Sequence, residues 1–90
     1  TPALPQVMLV ESLRAWRAVR PLVRKDWAIG PGIKLLREAP QIGAWARQHG
    51  HELSVWTVNS EADLEFCLDQ GVAAITTDRP AWLREQLGLQ

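Results

Sequence analysis

Few side chains in this sequence are equipped for chemistry. There are two histidines, His49 and His51, and one cysteine, Cys67. The histidines flank Gly50, a spacing that invites a metal-pair reading. The same glycine suits the end of a helix, where an imidazole sits favourably against the last carbonyls and stays in solvent. The solvated reading is preferred, and with no third histidine no histidine-rich site can be built. Cys67 falls in an apolar helix pattern and reads as a small core residue. A lone cysteine excludes an intrachain disulfide and a cysteine-based zinc centre. Gly30-Pro31-Gly32 invites comparison with a phosphate-cradling loop, but its spacing fits neither the Walker nor the dinucleotide pattern. A turn before a helix is the simpler account. What remains is two polar clusters, Asn59-Ser60 and Thr77-Asp78-Arg79-Pro80.

Both clusters sit where a strand should end. Leu53 to Val58 is alternating and β-branched, with Leu53, Val55 and Thr57 on one face and Ser54, Trp56 and Val58 on the other. Ser60 and Asp63 make a capping-box variant that opens a helix. Leu64, Cys67 and Leu68 are its expected apolar stripe, and Gly71 its stop. Val72 to Thr77 is the next expected strand. Asp78 or Arg79 is then expected to cap a last helix with Leu83 and Leu87 on its buried face, and Asp78 is the preferred cap. In a parallel α/β sheet, ligands bind at such C-terminal strand ends.

The upstream half supplies a third strand. After the lead-in Thr1–Pro5, Gln6 to Val10 is a continuous apolar run of the kind buried in parallel sheets. Ser12 is a candidate N-cap, followed by Leu13, Trp16 and Val19 at helical spacing. Trp27 to Ile29 reads as a short extended piece leading into the Gly30–Gly32 loop, and Ile33, Leu35 and Leu36 as one helical turn. Pro40 suits the first turn of a further helix, which carries Ile42, Trp45 and Ala46 on one face. Strands separated by helical crossovers imply parallel pairing. Three strands covered by helices on one face alone would leave the other face bare, which suits part of a closed barrel of about 250 residues better than a free-standing fold.

Composition narrows the classes. Ninety residues allow one small domain, with no internal boundary across residues 1–90. Hydrophobic content of 47% with 22% charged residues is that of a globular chain. Ten basic and ten acidic residues cancel, giving no electrostatic reason to expect nucleic acid or an anionic membrane as partner. No run approaches the ~20 apolar residues of a membrane span. No signal-peptide pattern is found, which favours a cytoplasmic location. A start at Thr1 rather than Met points to a segment of a longer or processed chain.

Val55-Trp56-Thr57-Val58-Asn59, followed by Gly71-Val72-Ala73-Ala74-Ile75-Thr76-Thr77-Asp78-Arg79-Pro80, resembles the C-terminal signature of glycerophosphodiester phosphodiesterases. Gly50-His51-Glu52-Leu53 fits the family's entry to that strand, and Ala28-Ile29-Gly30-Pro31 matches a segment that some bacterial members carry upstream. The resemblance covers residues 27 to 83. Ala73-Ala74 departs from the family's Asp-Gly, and Thr76 from an aliphatic residue. The resemblance implies an α/β fold, the C-terminal segment, about three strands, of a TIM (β/α)8 barrel. It implies a phosphoric diester hydrolase that splits glycerophosphodiesters into an alcohol and glycerol 3-phosphate with a divalent metal, Mg or Ca. The family's catalytic histidines and acidic metal ligands belong to its N-terminal half. None matches a position here, so this chain alone is expected to be inactive and to bind no metal through its own residues.

Two substrate-binding residues are expected, Trp56 from the resemblance and Glu11 from its place at the end of the first strand. Trp56 corresponds to a family tryptophan that looks into the barrel mouth. Its indole is expected to pack on the apolar edge of glycerol and to offer one N–H donor. Glu11, at the end of the first strand, is expected to face the mouth and accept from a glycerol hydroxyl. Asn59 is read as a capping or loop-orienting residue. A helix start at Asp78-Arg79 is a possible phosphate site, but the structural reading is preferred. The partners expected are a small-molecule glycerophosphodiester, and the remainder of the barrel or a self-associated copy. The competing reading is a non-catalytic barrel-fragment module for binding or oligomer assembly. Another barrel phosphodiesterase, phosphatidylinositol-cleaving or sphingomyelinase-D-like, is a third.

Overall fold

Strand β1 (Val7–Val10) forms where the apolar run predicts it, and a second strand, β2 (Ala28–Pro31), lies beside it in parallel, from Val7 opposite Ala28 to Val10 opposite Pro31. In this computed structural model residues 6–89 are described, so the Thr1–Pro5 lead-in lies outside them. Strands β3 (Ser54–Val55) and β4 (Ala74–Ile75) form a second parallel pair, Ser54 opposite Ala74 and Val55 opposite Ile75. Parallel bridges at Ile29–Leu53 and Gly32–Trp56 join the two pairs, so the four strands stand in chain order.

The fourth strand corrects the expectation of three. Trp27 to Gly32 is not an extended piece followed by a turn: Gly30, Pro31 and Gly32 are buried within the sheet or at its end. Proline in this strand has an identifiable effect. Ala28 N and Gly32 N donate towards β1, to Gln6 O and Val10 O, while Ile29 N donates towards β3, to Glu52 O. Donors alternate along a strand, so Pro31 falls on a β3-facing turn and has no N–H to give. The β2–β3 ladder is accordingly reduced to two separate bridges.

The helices are α1 (Leu13–Val19), α2 (Ile33–Glu38), α3 (Gln41–Gln48), α4 (Glu61–Asp69) and α5 (Pro80–Gln86), with a single 3₁₀ turn over Arg20–Leu22 that ends the first excursion at Pro21. Ser12 Oγ accepts from Ala15 N at 3.0 Å and Ser60 Oγ from Asp63 N at 3.2 Å, so both predicted serine caps form. Pro40 takes the N-cap position, one place before the expected first turn. Gly50 and Gly71, at φ 77 and 70, adopt the left-handed conformation that ends α3 and α4.

All the helical packing is on one side of the sheet. Val10, Ile29, Leu53 and Val55 point towards the helices, are at most 2% exposed, and form one core with Leu36, Ile42, Ala46, Leu64 and Cys67, none of them more than 4% exposed. The thinnest dimension of the molecule, 21 Å against 38 and 37 Å, is that of one sheet layer and one helix layer. The opposite sheet face is uncovered: Leu9 is 64% exposed and Val7 43%. Three expectations fail at the margins of the core. Leu68 is exposed, because among the described residues nothing packs on its flank of α4. Leu87 is 39% exposed and Leu83 half-buried: α5 has no fully buried residue and meets the core through Trp82 and Leu83. Val58 does not share a face with Ser54 and Trp56; β3 ends at Val55, and Val58 turns back into the core.

Candidate ligand-binding site

The uncovered sheet face carries alternate residues of the strands. Val7 and Leu9 from β1 with Glu11 just after it, Ser54 from β3 with Trp56 just after it, and Thr76 after β4 surround an open hollow of about 430 Å³. The structure therefore brings Trp56 and Glu11, the two predicted binding residues, to one place. Glu11 is exposed and follows the C-terminal end of β1. It also borders a second hollow, of about 360 Å³ between α1 and α2, which holds Lys34 and Glu38. Ser54 shares Trp56's face, as the alternation of the strand requires. Thr76, noted in the sequence only as a departure from the family pattern, lines the same hollow.

Trp56 differs from expectation in one respect. Its Nε1–H is not offered to a ligand but donates to Gly30 O at 2.7 Å. The reason is the strand that the sequence reading missed: β2 runs directly beneath the indole and supplies the carbonyl. The half-buried ring presents its apolar surface to the hollow, and the hydroxyl and carboxylate groups around it come from Ser54, Thr76 and Glu11.

The polar cluster after β4 is held by Asn59 rather than kept free for a ligand. Asn59 Oδ1 accepts from Thr77 Oγ1 (2.9 Å) and from Asp78 N (3.0 Å), and its Nδ2 donates to Asp78 Oδ2 (3.2 Å). Arg79 Nη1 donates to Asn59 O at 2.8 Å, and its guanidinium lies 4.7 Å from the centre of the Trp82 ring. Asp78 is therefore not the cap of α5. That position belongs to Arg79, whose side chain makes no capping bond, because the Asp78 carboxylate is engaged by Asn59. Asn59 orients the loop, as one of its two expected roles requires; capping of α4 falls to Ser60.

The histidines are also committed. His49 Nδ1 lies 2.9 Å from Trp45 O and His51 Nδ1 2.8 Å from Trp27 O. A carbonyl only accepts, so each imidazole carries its proton on Nδ1. Both rings stack on Trp45, with centroids 4.2 and 5.3 Å away, and Trp16 meets Trp45 edge-on at 5.2 Å. His49 is exposed, but His51 is 9% exposed, which corrects its reading as a solvated residue. The carbonyl that holds it is 24 residues away, beyond the reach of a local pattern. Cys67 is fully buried; burial, and next the Asp63 carboxylate, push its thiol from 9.0 up to about 11, against the pull of Arg37. Among the described residues no three His, Cys, Asp or Glu side chains converge to hold a metal ion.

The glycerophosphoryl diester phosphodiesterase family matches residues 1–82. The chain belongs to that family. A "Probable glycerophosphodiester phosphodiesterase 1" of Mycobacterium tuberculosis is similar to it, in strains CDC 1551 / Oshkosh and ATCC 25618 / H37Rv alike. Identity is 32% over 88 residues, covering 93% of this chain and 32% of the relative. The chain thus spans about a third of the length of the curated relatives it matches. No solved structure matches it. Among the described residues, no helix of this family member is long and apolar enough to cross a membrane.

Proposed function

We propose that this chain is the C-terminal part of a metal-dependent glycerophosphodiester phosphodiesterase, closing a TIM barrel whose catalytic histidines and metal ligands lie outside it. The observation that carries the reading is the family match over residues 1–82. The four parallel strands in chain order, with helices on one face only, agree with a barrel segment. The bare face is then the barrel interior, and the hollow around Trp56 its mouth. Glycerol is the natural occupant: its carbon edge packs on the indole, while Glu11 accepts from a hydroxyl. The divalent metal, Mg or Ca, supplies charge stabilisation at the phosphoryl group when bound. Among the described residues no cluster fits it, so the share of the work proposed for this chain is to bind and orient substrate.

The test is release of glycerol 3-phosphate from glycerophosphocholine and glycerophosphoethanolamine by the complete protein, with Mg or Ca. Turnover is expected from the complete protein and none from the 90-residue chain; hydrolysis by the purified fragment contradicts the division of labour. Glu11→Gln should raise KM in the complete enzyme, and an unchanged KM removes Glu11 from the site. The second reading, a non-catalytic binding or assembly module, is favoured by one observation, the exposed apolar sheet face. Lack of turnover by the complete protein with either metal would support it.

A further inference from the structure

On the bare sheet face β2 presents Ala28 and Gly30, and Gly32 follows at its end; neither glycine is required by backbone conformation. Gly32 has φ −66 and ψ 153, which any residue adopts, and neither glycine has a positive φ. What each position requires is the absence of a side chain. A Cβ on Gly32 would lie 3.3, 3.4 and 3.5 Å from Cη2, Cζ3 and Cζ2 of Trp56. Three atoms of the six-membered ring at nearly equal distances mean that the ring rests on that residue. The same indole is tied down by its N–H, which donates to Gly30 O at 2.7 Å. A Cβ on Gly30 would in turn come 2.7 Å from Val7 Cγ1 and 3.2 Å from Leu9 Cδ2, two side chains that line the same hollow.

We propose that Gly32 is a positioning residue: it is the seat of the Trp56 indole and, with the Gly30 carbonyl, sets how far the ring protrudes into the hollow and so how wide a ligand the hollow admits. This rests on the reading that the hollow receives substrate. A methyl group at residue 32 must displace the ring by a few tenths of an ångström, and the free direction is into the hollow. The N–H is pinned to Gly30 O, so the ring tilts about it and the mouth narrows. The effect is on binding geometry and not on any group that transfers a proton.

The test uses the complete enzyme labelled with 5-fluorotryptophan, with Trp56 assigned by its loss in Trp56→Phe. Gly32→Ala should move the Trp56 fluorine resonance and leave the other four tryptophan signals of this chain in place. It should raise KM for glycerophosphocholine about 5-fold with kcat within about 2-fold, the pattern of lost ground-state binding. In the Trp56→Phe background, Gly32→Ala should add little to KM, because the ring it displaces is smaller and no longer pinned. An unmoved Trp56 resonance overturns the seat, as does a KM rise that persists in full in the Trp56→Phe background. If Trp56→Phe and Trp56→Ala leave KM unchanged while Gly32→Ala still moves the resonance, the seat stands and the reading of the hollow as substrate site fails. Thermal melting within a few degrees of the parent shows that the backbone has accepted alanine; a gross loss of Tm with all five resonances shifted means that Gly32 serves the fold at large and overturns the proposal.

Discussion

The side chains that differ most from a local reading are those whose partners are far away in sequence. Asn59 is a plain turn residue by type, yet its amide makes three hydrogen bonds to Thr77 and Asp78, some 18 and 19 residues on. Asn59→Ala removes all three and takes away the acceptor of the half-buried Thr77 hydroxyl proton, while its oxygen still accepts from Arg79 N. It should destabilise the chain by about 1–3 kcal/mol in equilibrium denaturation, and no change would show that the loop holds itself. Cys67 offers a pH test. Its thiol is raised to about 11 from 9.0, so between those values the unfolded chain loses its proton first and the native state keeps it. Stability from this group is therefore complete below about pH 9 and declines as pH rises through about 11. The decline should be absent in Cys67→Ala, and the difference between the two curves isolates the thiol. Parallel curves would mean that the thiol ionises as freely in the native state as in the unfolded one. The types of Trp56 and Cys67 were legible because each sits in a strict periodic pattern. The bond of the indole to Gly30 and the burial of His51 against Trp27 were not, since neither partner is in the same element.

At the level of elements, the unit from β3 to α5 could be read from the sequence because each piece announces itself locally: alternation before Trp56, Ser60 three residues ahead of Asp63, and glycine at Gly71. β2 could not, because Gly30-Pro31-Gly32 is also what a turn looks like. Glycine and proline carry no apolar signal, and only neighbours on both sides make them a strand. The same local logic overestimated the helices. Leu64 and Leu68 are equivalent by spacing in α4, but Leu64 is 4% exposed and Leu68 55%. Two substitutions separate pattern from packing. Ser60→Ala, which removes the cap on Asp63 N, should cost about 1 kcal/mol. Leu68→Lys should stay within about 0.5 kcal/mol of the parent, as surface changes do. A loss of several kcal/mol from Leu68→Lys would place that flank of α4 in a contact, and the packing described for this helix would be wrong.

For the molecule as a whole, the two-layer build leaves a sheet with one face and both edges unprotected, which parallel sheets otherwise avoid. Val7 and Leu9 carry much of the exposed apolar surface on that face, and in the complete enzyme the proposed barrel would enclose them. In the purified 90-residue chain a second copy offers apolar surface to cover them. Sedimentation should therefore show concentration-dependent association of the isolated chain. Leu9→Lys should shift it towards monomer at an unchanged melting temperature, because residue 9 is already 64% exposed and a lysine there gives up little burial within the chain. A monomer at every concentration would mean that the bare face tolerates water on its own. Association unaffected by Leu9→Lys would move the contact to the strand edges, where backbone N–H and C=O groups of β1 and β4 are the remaining adhesive surface. The same substitution in the complete enzyme should do the opposite, destabilising it, because there Leu9 would be enclosed; a lysine tolerated in both settings would argue against a closed barrel around this sheet.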